Sequence, residues 1–324
     1  MRNRGCGAGR RRAGIAIRLA GAVAAAATLA AADFPRQWFF NAHNCYPHQG
    51  RGADRLERAR ALGLKAVELD LAWSPARGRA VISHETKLQG GEPTLEEYFF
   101  GPLDAELRAI PRGTPAWLLL LDFKSDHAGP VEEVLRLLSQ RRALVTTAAD
   151  QLDWGPLTVI LTGNNRAIAQ FEKLSAAGGP YLAMGNREPP ERKFREEVAG
   201  YIPEPATAFY RVFNFEWKHV EREPNDRAGA WRPAERARLG ELVRAAHRKG
   251  YWLRAWTLNA TATDWGTSQR FGARQALLER WRAAEQAGVE MIATDEYELA
   301  AGFRLAGGAT PPTDRSRRSQ GPGR

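Results

Sequence analysis

The chain has 324 residues, 44% of them hydrophobic, and a formal charge of +10 at pH 7. That length suits one large domain, with a single α/β barrel of about 250 residues inside the range. The excess charge is terminal, because residues 1–32 hold six arginines and no acid and residues 307–324 four arginines and Asp314; the middle is left near +1, which argues against a phosphate-backbone footprint, so no nucleic-acid partner is expected.

At the N-terminus, Arg10-Arg11-Arg12 precede an Ala-rich apolar run that is interrupted by Arg18 and ends in Ala30-Ala31-Ala32 before Asp33. A basic stretch, a short apolar stretch and small residues at the end make an export signal over 1–32, so the mature protein is expected in the periplasm or medium. The apolar stretch is too short and too Ala-rich for a membrane span, an uncleaved anchor being the alternative. The paired arginines lack the hydrophobic residues expected after them in a twin-arginine signal. Cys6 leaves with the signal and Cys45 stands alone, so no internal disulfide forms and the core must supply stability.

From residue 33 to 306, short apolar runs alternate with amphipathic stretches, the pattern of a parallel α/β sheet. Eight strands are predicted, over Trp38–His43, Lys65–Asp70, Ala116–Lys124, Leu157–Thr162, Tyr181–Met184, Phe209–Phe215, Trp252–Thr257 and Glu290–Thr294. Helices are expected over Ala53–Leu62, Val131–Gln140, Ala167–Ala176, Ala234–Arg248 and Arg274–Ala287, several stopping at Gly63, Gly178, Gly250 or Gly288. The first unit carries an insertion at 77–100 with a short strand, Arg79–Ser83, and a helical segment from Leu95 to about Leu107. Eight βα units imply one closed (β/α)8 barrel. The runner-up, an open doubly wound sheet, lacks a Gly-x-Gly-x-x-Gly turn after any strand. The tail, 307–324, is Gly, Pro, Ser and Arg and reads as disordered.

The chemistry lies at the strand ends. In Lys65-Ala66-Val67-Glu68-Leu69-Asp70-Leu71 the period-two alternation turns Val67, Leu69 and Leu71 towards helices and Glu68 and Asp70 into the barrel mouth. The run Leu118–Leu121 likewise ends in Asp122 and Lys124 on one face, at the strand end where barrel enzymes keep their sites. Buried carboxylates are costly without compensation, and three oxygen donors on neighbouring strands suit one hard divalent cation, Mg2+ or Ca2+. Lys124 adds a positive charge suited to a phosphate oxygen. The bland alternative is a buried carboxylate–lysine pair. His43 ends the first strand and His84 the inserted one. Each alone could be structural, but beside the carboxylates they suit a base and an acid flanking a metal-bound phosphate. His48, His127, His219 and His247 lack such a context, although His48 is near enough to His43 to support it; His247 is expected at the surface. Trp256 at a strand end is core or site, and Asp295 caps a turn or touches ligand. Cys45 is a small filler.

The succession His43-Asn44, Glu68-x-Asp70, Ser83-His84, Asp122-x-Lys124, Trp256-Thr257-Leu258-Asn259 and Ala293-Thr294-Asp295 resembles the phospholipase C-like phosphodiesterase superfamily over about residues 38–300. That group includes glycerophosphodiester phosphodiesterases and sphingomyelinase D-type toxins. The stretches His43–Pro47 and Glu92–Phe100 are most similar to a bacterial branch related to altered inheritance of mitochondria protein 6. The resemblance implies a TIM barrel, Mg2+ or Ca2+ at Glu68, Asp70 and Asp122, an acid–base pair of His43 and His84, and substrate contacts from Lys124, Asn44, Trp256 and Asn259. Two departures leave the substrate alcohols open. His43-Asn44-Cys45 replaces the His-Arg-Gly of glycerophosphodiesterases, and one remaining cysteine cannot close the disulfide loop of the toxins. The expected protein is a monomeric, exported hydrolase of phosphodiesters, with lipids at a membrane surface among the candidates. The rival readings are a catalytically silent barrel that binds a phosphorylated ligand, and a metal-independent phosphatidylinositol phospholipase C.

Overall fold

The computed structural model describes residues 34–47, 54–190, 194–195, 197–202, 204–221, 230–256, 258–260, 271 and 273–306. The expected signal at 1–32, the tail at 307–324, His48 and Thr257 lie outside the described residues.

Eleven strands form among the described residues. They are β1 (Phe40–Ala42), β2 (Ala66–Ser74), β3 (Arg79–Ile82), β4 (Trp117–Phe123), β5 (Thr147–Ala148), β6 (Leu152–Asp153), β7 (Leu157–Gly163), β8 (Met184–Arg187), β9 (Tyr210–Glu216), β10 (Trp252–Trp256) and β11 (Met291–Thr294). Eight of them run parallel in the order β1-β2-β4-β7-β8-β9-β10-β11, and β1 pairs with β11 to close the barrel. The closure aligns Ala42 with both Val67 and Thr294. The inserted strand β3 lies antiparallel on the far half of β2, pairing Leu71 with Ile82 and Ser74 with Arg79, which carries β2 four residues past its expected end at Asp70. Two-residue strands β5 and β6 make a separate hairpin.

Helices follow most strands: Arg55–Ala61, Gly101–Ala109, Ala128–Gln140, Asn165–Ser175, Pro233–Arg248, Arg274–Ala287 and Tyr297–Ala306. Between β8 and β9 the described residues form only a 3-10 turn, Val198–Tyr201. In Ala128–Gln140 the buried Val131, Val134, Leu137 and Leu138 recur at helical spacing and pack on the barrel's outer face. The fifth predicted strand is displaced: Tyr181 instead bridges Ala148, and pairing with β7 starts at Met184 opposite Ile160. The expected helix stop at Gly178 moves one residue, to Gly179 with φ 104°.

Strand alternation separates two cores. Val67, Leu69, Leu71, Leu119 and Leu121 face the helices. Ala66, Leu118, Leu120, Ile160, Met184, Val212, Trp252 and Met291 fill the lower barrel with Trp38 and Phe34. This apolar plug seals one end and leaves the polar residues farther along the same strands at the other. Among the described residues no helix is long and apolar enough to cross a membrane.

Candidate active site

The inward residues at the C-terminal strand ends form a cavity of about 380 Å³ lined by His43, Asn44, Glu68, His84, Asp122, Lys124, Glu188, Asn214, Arg254 and Trp256, among others. Of the sequence-predicted residues, only Asp70 and Asn259 lie behind its wall.

Glu68 and Asp70 on β2 and Asp122 on β4 place one carboxylate oxygen each within 4.8 Å of one another. The register sets Asp70 beside Asp122, and the next turn of chain puts Lys124 over both, with Nζ 3.2 Å from Asp70 Oδ2 and 3.3 Å from Asp122 Oδ1. Gly163, with φ 86°, makes room: a Cβ there would run into the Asp122 carboxylate and come within 2.6 Å of the Phe123 carbonyl oxygen. Glu68 accepts from Arg254 on β10.

The triad is short of positive charge. Burial, then the Asp122 charge, push Asp70 up to about 8 against the pull of Lys124, and burial raises Asp122 too. The Lys124 ammonium is near Asp70 but not aligned with it, so buried Asp70 Oδ2 has no hydrogen-bond donor. An orphaned carboxylate oxygen among three converging hard donors fits a divalent cation of the Mg2+ or Ca2+ type.

His43 follows β1 and meets Asp295, which follows β11, because the strands that close the barrel are neighbours. Nδ1 of His43 lies 3.3 Å from Asp295 Oδ1. Asp295 is only 3% exposed and also accepts from Asn44 Nδ2 at 3.0 Å and Asn259 Nδ2 at 2.8 Å, with Arg55 Nη1 3.5 Å away. Burial opposes charge on both partners, yet their attraction prevails: His43 is raised, chiefly by Asp295, and Asp295 is lowered, chiefly by His43. The ionised carboxylate can only accept, so His43 Nδ1 carries a proton and, in the neutral ring, Nε2 keeps its lone pair.

Asn259 is 1% exposed, and its amide oxygen accepts from Thr294 Oγ1 and the Asp295 N–H. Its Nδ2 donates to Asp295 Oδ2, so both ends of the amide meet Asp295 and the side chain lies behind the cavity wall. Asn44, at φ 52°, reaches the cavity wall while holding Asp295. His84 is half-buried at the rim, Nδ1 3.1 Å from Glu85 Oε1, and Trp256 lines the wall. Of the remaining histidines, His127 Nδ1 caps its helix through Gly129 N–H, and His247, expected at the surface, is half-buried and pairs with Glu290 at 2.9 Å.

Sequence reasoning gave Arg254 no role and left Asp295 undecided. Arg254 shares inward parity with Trp252 and Trp256, the same charged break that exposed Glu68 and Asp122.

No protein-family model and no curated protein matches the chain. Among solved structures, a Ca2+-dependent phosphatidylinositol-specific phospholipase C from Streptomyces antibioticus matches 83% of this chain and 97% of its own, at 15% identity and a TM-score of 0.51. The likeness is one of fold, a closed (β/α)8 barrel. A glycerophosphoryl diester phosphodiesterase from Parabacteroides distasonis aligns over 83% of this chain and 86% of its own, at 14% identity and a TM-score of 0.45. In this barrel the acidic triad, lysine and carboxylate-backed histidine all stand at the C-terminal strand ends.

Proposed function

We propose that the chain is an exported, divalent-metal-dependent phosphoric diester hydrolase acting as a monomer on a phospholipid or glycerophosphodiester. The observation that carries this reading is the triad of buried Glu68 and Asp70 with half-buried Asp122, and Lys124 beside it, at a cavity that also holds a carboxylate-backed histidine. The fold likeness to a phospholipase C supports it. Mg2+ or Ca2+ held by the triad would supply Lewis acidity to a non-bridging phosphoryl oxygen.

Lys124 stabilises the charge that grows on the phosphoryl oxygens. His43 is the base: Asp295 fixes its tautomer and steadies the imidazolium that forms when Nε2 takes the nucleophile's proton. His84, at the more open rim, gives a proton to the leaving oxygen. The nucleophile is water or a neighbouring hydroxyl of the substrate alcohol; in the second case a cyclic phosphate forms first. Trp256 and Asn44 shape the wall around the alcohol. Export is supported by the basic, apolar and small-residue order of 1–32. The monomeric state is supported by a described surface on which Leu174 alone is an exposed large hydrophobic residue.

The test is a panel of phospholipids and glycerophosphodiesters analysed by mass spectrometry. Release of a monoester or cyclic phosphate from at least one member is expected. Unchanged substrates throughout, with the protein folded and Ca2+ or Mg2+ present, would contradict the proposal.

A further inference from the structure

Arg254 is a charged group in the cavity wall to which the mechanism above gives no task. It is 2% exposed, deep among the polar residues of the barrel mouth. Its Nε and Nη2 donate to Asn41 Oδ1 at 3.3 and 3.0 Å, Nη1 donates to Asn214 Oδ1 at 2.9 Å, and Nη2 also donates to Glu68. A guanidinium has five N–H donors, and these bonds use four. The second N–H of Nη1 has no partner among the described residues. Asn41 gives its oxygen to Arg254 although its own buried Nδ2 is left without an acceptor. The neighbourhood is thus arranged to hold the guanidinium in one orientation while leaving it a donor.

Charge points the same way. With a divalent cation in the triad, three carboxylates face two charges from the ion and one each from Lys124 and Arg254. Glu188 in the same wall offsets the surplus of one positive charge, so the set is neutral with Arg254 and negative without it, and the guanidinium removes charge that would repel a phosphodiester. Topology supplies the direction. Strands β4 and β10 are four apart around the eight-strand ring, so Lys124 and Arg254 enter from opposite walls.

We infer that Arg254 is a phosphate-binding residue whose remaining Nη1–H meets a non-bridging oxygen of the substrate on the side opposite Lys124. The inference rests on the phosphodiesterase reading above. Arg254 also orients Glu68, and this second task is separable from the first by measurement.

The test is calorimetric titration of the whole protein with inorganic phosphate at saturating Mg2+, alongside a Mg2+ titration, for wild type, Arg254→Gln and Arg254→Lys. Phosphate affinity should fall on the order of 10–100-fold in Arg254→Gln, the size expected for losing a charge-assisted hydrogen bond. The loss should be smaller in Arg254→Lys, which keeps the charge but not the planar fork. Mg2+ affinity should not fall in either variant, because a cation competing for Glu68 has been removed or weakened. If Arg254→Gln fails to fold with Glu68 unpaired, the lysine variant carries the test. Unchanged phosphate affinity with altered Mg2+ affinity would make Arg254 a mere partner of Glu68 and overturn the inference, as would a wild type that binds no phosphate. Arg254-dependent phosphate binding by a protein that cleaves no phosphodiester would sink the hydrolase reading and leave this one standing. Cleavage with unaltered phosphate affinity would do the reverse.

Discussion

Asp295→Asn isolates the link between the last strand and the proposed base. The substitution keeps shape and removes charge. Asp295 now accepts from His43 Nδ1 at 3.3 Å, Asn44 Nδ2 at 3.0 Å and Asn259 Nδ2 at 2.8 Å. An asparagine has one acceptor oxygen, so its NH2 must oppose either the Asn259 amide or the donors of His43 and Asn44. Breaking a buried ion pair by removing one partner costs about 3–5 kcal/mol. The His43 side chain is 16% exposed and can shed its proton, so a smaller loss, about 2–3 kcal/mol, is expected here. The pH dependence has a definite sign. The raised His43 contributes stability that is full below its unfolded value of 6.5 and is lost as pH rises through the folded value. The lowered Asp295 contributes stability that is full above 3.8 and is lost as pH falls through its folded value. Urea unfolding should therefore show the largest difference between wild type and variant inside that window, and a smaller one at a pH above the folded value of His43, where the ring is neutral in both. In kinetics, kcat/KM should drop by about 10²–10⁴, the range of a general acid–base contribution. The limb of the pH profile that belongs to His43 should move to lower pH. If it is the acidic limb, His43 is the base; if the basic limb, the acid. A stability loss equal at both pH values, with an unshifted limb and wild-type rates, would refute the pairing.

Further predictions concern the triad, the histidines and the N-terminus. Asp122→Asn and Glu68→Gln should both weaken Mg2+ or Ca2+ binding in calorimetry and abolish turnover. Without metal, Asp122→Asn should stabilise the fold near neutral pH, because burial raises that carboxyl and ionising it costs stability as pH rises; Glu68→Gln should not, since it strips Arg254 of its carboxylate. His43→Ala and His84→Ala should each lose about 10²–10⁴ in rate, with non-additive losses in the double variant. The acid's removal should matter less for a p-nitrophenyl ester than for an alkyl ester, and near-normal rates on both in both variants would make the histidines structural. N-terminal sequencing of periplasmic or secreted protein should find a start near Asp33; intact Met1 on cytosolic protein would contradict export.

Where the strand period alone fixed direction, the site was legible. Glu68, Asp70, Asp122 and Lys124 each break an apolar strand on the inward face, and β2 and β4 are consecutive strands of the barrel and neighbours in space. Asp295 was not legible in that way. Its contact with His43 spans 252 positions and exists because the first and last strands pair when the barrel closes. Asn259 follows a strand-end tryptophan and reads as a ligand contact, yet Asp295 and Thr294 claim its amide. Strand β8 was placed too early because Met184-Gly185-Asn186-Arg187 lacks β-branched residues, its inward Asn186 being held by Thr162 Oγ1. Arg254 could have been found by asking which cation meets Glu68.

The central claim is that the triad holds a metal that phosphodiester cleavage requires. The most direct measurement is hydrolysis of bis(p-nitrophenyl) phosphate by wild type before and after EDTA, and again after Mg2+ or Ca2+ is restored, with Asp122→Asn alongside. The account predicts p-nitrophenolate release that EDTA stops and the metal restores, and none from Asp122→Asn under any condition. Release that is indifferent to EDTA and undiminished in Asp122→Asn would contradict it.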